Sequence, residues 1–67
     1  MSHERIGQLN LDRLRAKALK RKLNEAWQLS NSLNGNDHKI THTIAALEIS
    51  TRTELNQIDK EIEAEES

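Results

Sequence analysis

The chain contains no cysteine, proline, phenylalanine or tyrosine, and it has only one tryptophan and two glycines among its 67 residues. Without cysteine, neither a disulfide bond nor a thiolate metal site can stabilise the fold. No apolar run approaches the roughly 20 residues that a membrane-spanning helix needs, and the N-terminus lacks the basic-then-apolar pattern of a signal peptide. These absences predict a cytoplasmic protein that makes no membrane contact.

The residues that are present indicate a small helical protein. Apolar residues make up 34% of the chain and charged residues 31%, a composition close to that of coiled coils and long helices. A chain of 67 residues forms at most one small domain. Two isolated helices of this size bury little apolar surface against the entropy that is lost when the chain orders. We therefore expect the fold to need a partner surface, either a second copy or another protein.

The segment Leu33–Asp37 divides the chain into two halves of opposite charge. Through Asn36 there are seven Lys or Arg and three acids (7 − 3 = +4), and from Asp37 onward there are three bases and eight acids (3 − 8 = −5). Gly35 suits the left-handed conformation that follows a helix end, and Asn36 or Asp37 can cap a second helix. The segment therefore predicts a sharp turn between two helices.

The predicted fold is all-α, an antiparallel and coiled-coil-like helical hairpin over residues 10–64. Helix 1 is predicted at about 10–33, the turn at 34–37 and helix 2 at about 38–63, with a flexible tail at 1–9 and a frayed C-terminus at 64–67. A helix start at Ser2, with Gly7 as an internal weak point, is the alternative. The predicted seam of helix 1 comprises two rows with a spacing of seven residues: Leu9, Ala16, Leu23 and Ser30, and Asp12, Leu19, Ala26 and Leu33. The predicted inward face of helix 2 comprises Ile40, Ile44, Leu47, Thr51, Leu55, Ile58 and Ile62.

Folding the chain at Gly35 pairs residues whose numbers add to about 71, so the basic stretch 13–22 lies opposite the acidic part of helix 2. Opposite charges at the same level favour an antiparallel hairpin over two unrelated helices. A domain-swapped dimer of continuous helices would align the same charges. The hairpin is expected to assemble as a four-helix-bundle dimer or to dock on a partner.

The turn-proximal half of this hairpin is the predicted interface, because residues 26–36 and 40–47 carry no formal charge. A helix that is apolar on most of its circumference is usually buried on most of it. Trp27, the only aromatic residue, is the predicted anchor of that interface. The predicted interface residues are Trp27, Leu23, Leu33, Ile40, Ile44 and Ile49. In the alternative interpretation, Trp27 only covers the flank of the hairpin.

Other site chemistries have weaker support in the sequence. His38 and His42 have a spacing that can chelate a metal, with Asp37 adjacent, but no third or fourth ligand is in place. We therefore expect no metal, no cofactor and no small-molecule substrate. With no Gly-rich loop and no nucleophile beside a base in a cleft, we also expect no enzymatic activity.

The basic stretch of helix 1 allows a second interpretation, an RNA- or DNA-binding surface. Its candidate contact residues are Arg13, Arg15, Lys17, Lys20, Arg21 and Lys22. No aromatic residue is interleaved for base stacking, and the acids of helix 2 are expected to neutralise much of this charge. The favoured function is a non-enzymatic interaction module, such as an adaptor, co-chaperone or inhibitor, and the alternative is a dimeric nucleic-acid-binding regulator.

In length, turn placement and alternating Ala/Leu layers, the chain is similar to small helical hairpins that dimerise into four-helix bundles, including a plasmid RNA-binding regulator. It is also similar to the small hairpin co-chaperones of bacterial secretion systems. The similarity implies a hairpin that acts by association. It includes no shared motif, so no functional residue is carried over from either group.

Overall fold

A computed structural model describes residues 3–67 as two helices joined by a short turn. Helix α1 comprises His3–Asn34 and helix α2 comprises Lys39–Glu66, and the described residues contain no strand. The helices pack along each other in a rod about 48 Å long. The predicted all-α, two-helix hairpin is therefore confirmed.

Three cross-helix contacts fix the antiparallel register. They are Arg5 Nε to Glu65 Oε1 at 2.6 Å, Arg13 to Asp59 at 3.7 Å, and Ser30 Oγ to Thr41 Oγ1 at 2.7 Å. The residue numbers of these pairs add to 70, 72 and 71, as the folding of the chain at Gly35 predicts. We call the end with the chain termini the open end, and the opposite end the turn end.

Gly35 ends α1 as its sequence position predicts. It has a φ of 89°, and its N–H donates to the Asn31 carbonyl at 2.8 Å. Only glycine adopts this φ without strain. The cap of α2 differs from the prediction, because the N-cap is His38 and not Asn36 or Asp37. His38 Nδ1 accepts the Ile40 N–H at 3.1 Å and so satisfies one of the free donors of the helix N-terminus.

The helices are longer at the open end than the sequence predicts. Helix α1 begins at His3, so the prediction of a tail is wrong for residues 3–9, and residues 1 and 2 lie outside the described residues. Helix α2 continues to Glu66, so the predicted fraying at 64–67 is wrong for its first three residues. Each extension supports the other, because Leu9 is buried and Arg5 bonds to Glu65. Gly7 is tolerated inside α1 at the cost expected of glycine in a helix.

The space between the helices changes character along the hairpin. Toward the open end the buried residues are mainly apolar, and toward the turn end the buried residues are Ser30 and Thr41. The apolar ones are Leu9, Ala16, Leu55 and Ile62. The prediction that Ile40 and Leu47 point inward is wrong, since both are about half exposed and Thr41 is buried instead. At the turn end the small Ser30 and Thr41 side chains fill the interior, with their hydroxyl oxygens 2.7 Å apart.

Candidate protein interaction surface

Four large apolar side chains lie along one side of the hairpin, and we call them the apolar face: Leu19, Leu33, Ile40 and Leu47. Leu19 and Leu33 are 14 residues apart, so they form one row of α1, and Ile40 and Leu47 form one row of α2. The two rows share a side of the molecule. Leu19 lines a groove together with Glu54, and Glu54 continues the row of Leu47 by seven residues.

The apolar face is open to solvent in the single hairpin. Leu33 is 83% exposed, and Ile40 and Leu47 are 52% and 49% exposed. Leu29, next to this face, is also exposed. Four of these five residues lie in the turn-proximal half, on both sides of the turn. An exposed apolar group of this extent is typical of an interaction site.

The interior behind the apolar face is polar. Thr41 is 1% exposed, and its hydroxyl shares a hydrogen bond of 2.7 Å with the buried Ser30 hydroxyl. Asn34 Nδ2 donates to the same Ser30 oxygen at 3.4 Å. A buried hydroxyl needs such a partner, since leaving it unpaired costs free energy. At the turn end, therefore, small hydroxyl groups are inside and large aliphatic groups are outside.

The predicted interface residues are distributed over more than one side of the hairpin. Leu33 and Ile40 belong to the apolar face. Ile44, which comes between Ile40 and Leu47 in the sequence, is half-buried. Leu23 and Trp27 are half-buried in the single hairpin. Their role in binding a partner stays a prediction.

Ile49 does not join the apolar face. It follows Leu47 by two residues, so it lies about 160° from Leu47 around α2, and it is 62% exposed. Sequence reasoning did not single out Leu19 and Leu47 as surface residues, because it assigned both to the seam. The available signal was the width of the apolar pattern, which exceeds what one neighbouring helix can cover.

The opposite side of the hairpin carries a basic groove, which we define by Lys17, Lys20, Arg21 and Arg52. Asn24, Glu48 and Leu55 complete its lining. Within residues 3–67, none of the four basic side chains has a carboxylate within 4.0 Å. Sequence reasoning missed Arg52, which comes from the acidic half of the chain.

The acids of α2 neutralise less of the basic stretch than the sequence predicts. Only Arg13 forms a cross-helix ion pair, with Asp59, among the six predicted contact residues. Arg15 and Lys22 pair within α1, with Asp12 at 4.0 Å and with Glu25 at 3.9 Å. Those two pairs are exposed and therefore weak.

One of the two histidines considered for metal binding, His38, has a structural role. His38 is the N-cap of α2 and uses Nδ1 as an acceptor. Across residues 3–67, no three His, Asp or Glu side chains are grouped so that they could hold a metal ion. In the same part of the chain, neither helix is long and apolar enough to cross a membrane.

Comparison with protein-family models, with curated proteins and with solved structures finds no match for this chain.

Proposed function

We propose that the chain is a non-enzymatic protein–protein interaction module, an adaptor, co-chaperone or inhibitor, that acts through the turn-proximal half of the hairpin. It associates as a four-helix bundle or docks on another protein. One observation supports this most directly: large aliphatic side chains are exposed at the turn end while Ser30 and Thr41 occupy the interior.

The energetics favour a partner on the apolar face. Burying an exposed leucine or isoleucine contributes roughly 1.5–3 kcal/mol. The single hairpin leaves Leu33 largely exposed to water and Ile40 and Leu47 about half exposed. Association that covers them adds stabilisation that the two-helix core does not provide.

A pair of substitutions on α2 tests this function. Leu47→Glu places a charge on the apolar face, and Ile49→Glu places the same charge on the opposite side at a similarly exposed position. Leu47→Glu should weaken association by at least about tenfold, as loss of an interface contact does, while Ile49→Glu should leave it nearly unchanged. Binding is measured by sedimentation equilibrium for self-association and by capture on the immobilised chain for other proteins. Equal behaviour of the two variants would contradict the proposal.

Trp27 has a separate test, because the indole is already half-buried in the hairpin. If it also anchors a partner, Trp27→Ala weakens association by roughly 2 kcal/mol and the parent fluorescence shifts to the blue on assembly. If it only covers the flank, the variant loses hairpin stability and keeps its association constant.

The basic groove favours a second candidate function, binding of RNA or DNA. Lys17, Lys20 and Arg21 have no carboxylate partner among the described residues, so their charges are available to phosphates. Affinity for a duplex of about 20 base pairs should then fall steeply between 50 and 200 mM salt, because phosphate contacts release counterions. Lys20→Ala should weaken binding, and Lys39→Ala, outside the groove, is the matched control. Absence of binding at low salt would exclude this candidate.

A further inference from the structure

We infer that the apolar face is covered by a second copy of this chain, with both turns at the same end of a four-helix bundle. This inference rests on the proposed function and specifies its partner. It follows from the charges of the two helices that border the apolar face.

The two helices have equal and opposite charges. Helix α1 contains seven bases and three acids (7 − 3 = +4), and helix α2 contains three bases and seven acids (3 − 7 = −4). The same contrast holds beside the apolar face, where Arg15 and Glu54 line one groove with Leu19. Asp12 of α1 also lines this groove and pairs with Arg15 at 4.0 Å, so the contrast between the two sides of the face is one of net helix charge.

Two symmetric arrangements stack the apolar faces of two hairpins. When the two-fold axis runs along the hairpin, α1 lies over α2 of the second copy and both turns are at one end. When the axis runs across the hairpin, α1 lies over α1, α2 lies over α2, and the turns are at opposite ends. The first arrangement places the +4 helix on the −4 helix, and the second places helices of the same net charge on each other.

In the first arrangement, residues at the same height along the bundle are compatible with each other. With turns at the same end, Arg15 comes level with residue 56 of the second copy, within one helical turn of Glu54. Leu33 comes level with residue 38, within one turn of Ile40. Charges meet opposite charges, and the apolar turn ends meet each other.

The second arrangement fails at the same positions. In full overlap, Arg15 comes level with Lys22 of the second copy, and Leu33 comes level with Glu4. Sliding the hairpins to keep the apolar halves together leaves about half of each hairpin without a neighbour. Like charges and apolar-to-charged contacts both disfavour it.

The absence of cysteine in the chain allows spin labels at single introduced cysteines, Asn36→Cys near the turn and Glu63→Cys near the open end. Both side chains are exposed. In the same-end bundle, interhelical spacings of about 8–10 Å put both inter-chain label distances below about 30 Å. In any opposite-end arrangement the two axial separations together amount to about 80 Å, so at least one exceeds about 40 Å.

Double electron–electron resonance on the two labelled proteins distinguishes the two arrangements. Sedimentation equilibrium of the unlabelled parent shows whether a dimer forms. A dimer with both distances short supports the inference. A dimer with either distance above about 40 Å, or a monomer at about 100 µM, overturns it. The proposed function has its own readout, because a monomer that captures another protein through Leu47 but not through Ile49 retains that function. Self-association that persists in Leu47→Glu overturns both the dimer inference and the proposed function.

Discussion

The open end and the turn end of the hairpin bury opposite kinds of side chain. At the open end Leu9 and Ile62 are buried, and the Arg5–Glu65 ion pair joins the two helices. At the turn end Ser30 and Thr41 are buried, and Leu33 and Ile40 are exposed. The open end leaves Leu11 and Leu14 exposed by 41% and 64%, so exposed apolar side chains occur at both ends. The contrast between the ends therefore lies in the interior, which is mainly apolar at the open end and filled by two hydroxyl side chains at the turn end.

The largest expected effect tests the apolar interior. Leu55→Ala should lower the free energy of unfolding by about 2–4 kcal/mol, because Leu55 is buried and truncation leaves a cavity. The same change at the half-exposed Leu47 should cost much less in the single hairpin. Urea titrations followed by circular dichroism at one low protein concentration, started in an osmolyte that strengthens folding, measure both. Equal losses would remove the contrast between the two positions.

The hydroxyl pair at the turn end provides the next test. Thr41→Val removes the 2.7 Å partner of the Ser30 hydroxyl, which keeps only the 3.4 Å contact from Asn34 Nδ2, and should cost about 1–3 kcal/mol. Adding Ser30→Ala removes that poorly satisfied hydroxyl as well, so the double variant should be more stable than the sum of the single losses predicts. A double-mutant cycle by thermal unfolding measures the coupling. Strict additivity would mean that the two hydroxyls do not depend on each other.

A Gly→Ala substitution at each of the two glycines compares how the two ends of the hairpin contribute to stability. Gly35→Ala should destabilise the hairpin by about 1–2 kcal/mol, because Gly35 has a φ of 89° and an added Cβ disfavours that conformation. Gly7→Ala should stabilise α1 by about 0.5–1 kcal/mol. A Cβ at either site meets no atom within 4 Å, so backbone preference alone sets the sign. Thermal midpoints that move in the same direction would contradict this account.

The smallest effect concerns the charge pair between the helices. Arg13→Glu should cost about 0.2–1 kcal/mol, since the Arg13–Asp59 pair is exposed and 3.7 Å long. Adding Asp59→Lys should recover part of that loss. Recovery is measured as a shift in the urea midpoint, and it should shrink as salt is raised. No recovery at low salt would mean that the two side chains do not interact in solution.

Sequence reasoning predicted the hairpin because its signals are local. Gly35 has the conformation expected from its place after α1, and the charge contrast predicts the antiparallel register. The helix ends at the open end were not predictable in the same way. Leu9 begins the heptad row of α1, but Gly7 before it and Glu65 after Ile62 continue no apolar pattern, and the helices extend there because each packs against the other.

The larger error concerned which residues of the apolar stripe on α2 face α1. Periodicity identifies a stripe, but it does not say which part of a wide stripe faces the neighbouring helix. Here the 2.7 Å hydrogen bond to Ser30 favours Thr41 inside, and Ile40 is left outside. The candidate site was therefore predictable as a region, the uncharged turn-proximal half, and not as a set of residues.

The Ser30–Thr41 contact also has a consequence for how the chain folds. It joins residues only 11 positions apart, so little loop entropy is lost when it closes. Arg5 and Glu65, at the other end, are 60 positions apart and become neighbours only after the intervening turns have formed. Folding is expected to start at the turn and to proceed toward the termini, so the apolar face is assembled before the core at the open end. The chain would present its association surface early, while the termini are still being ordered.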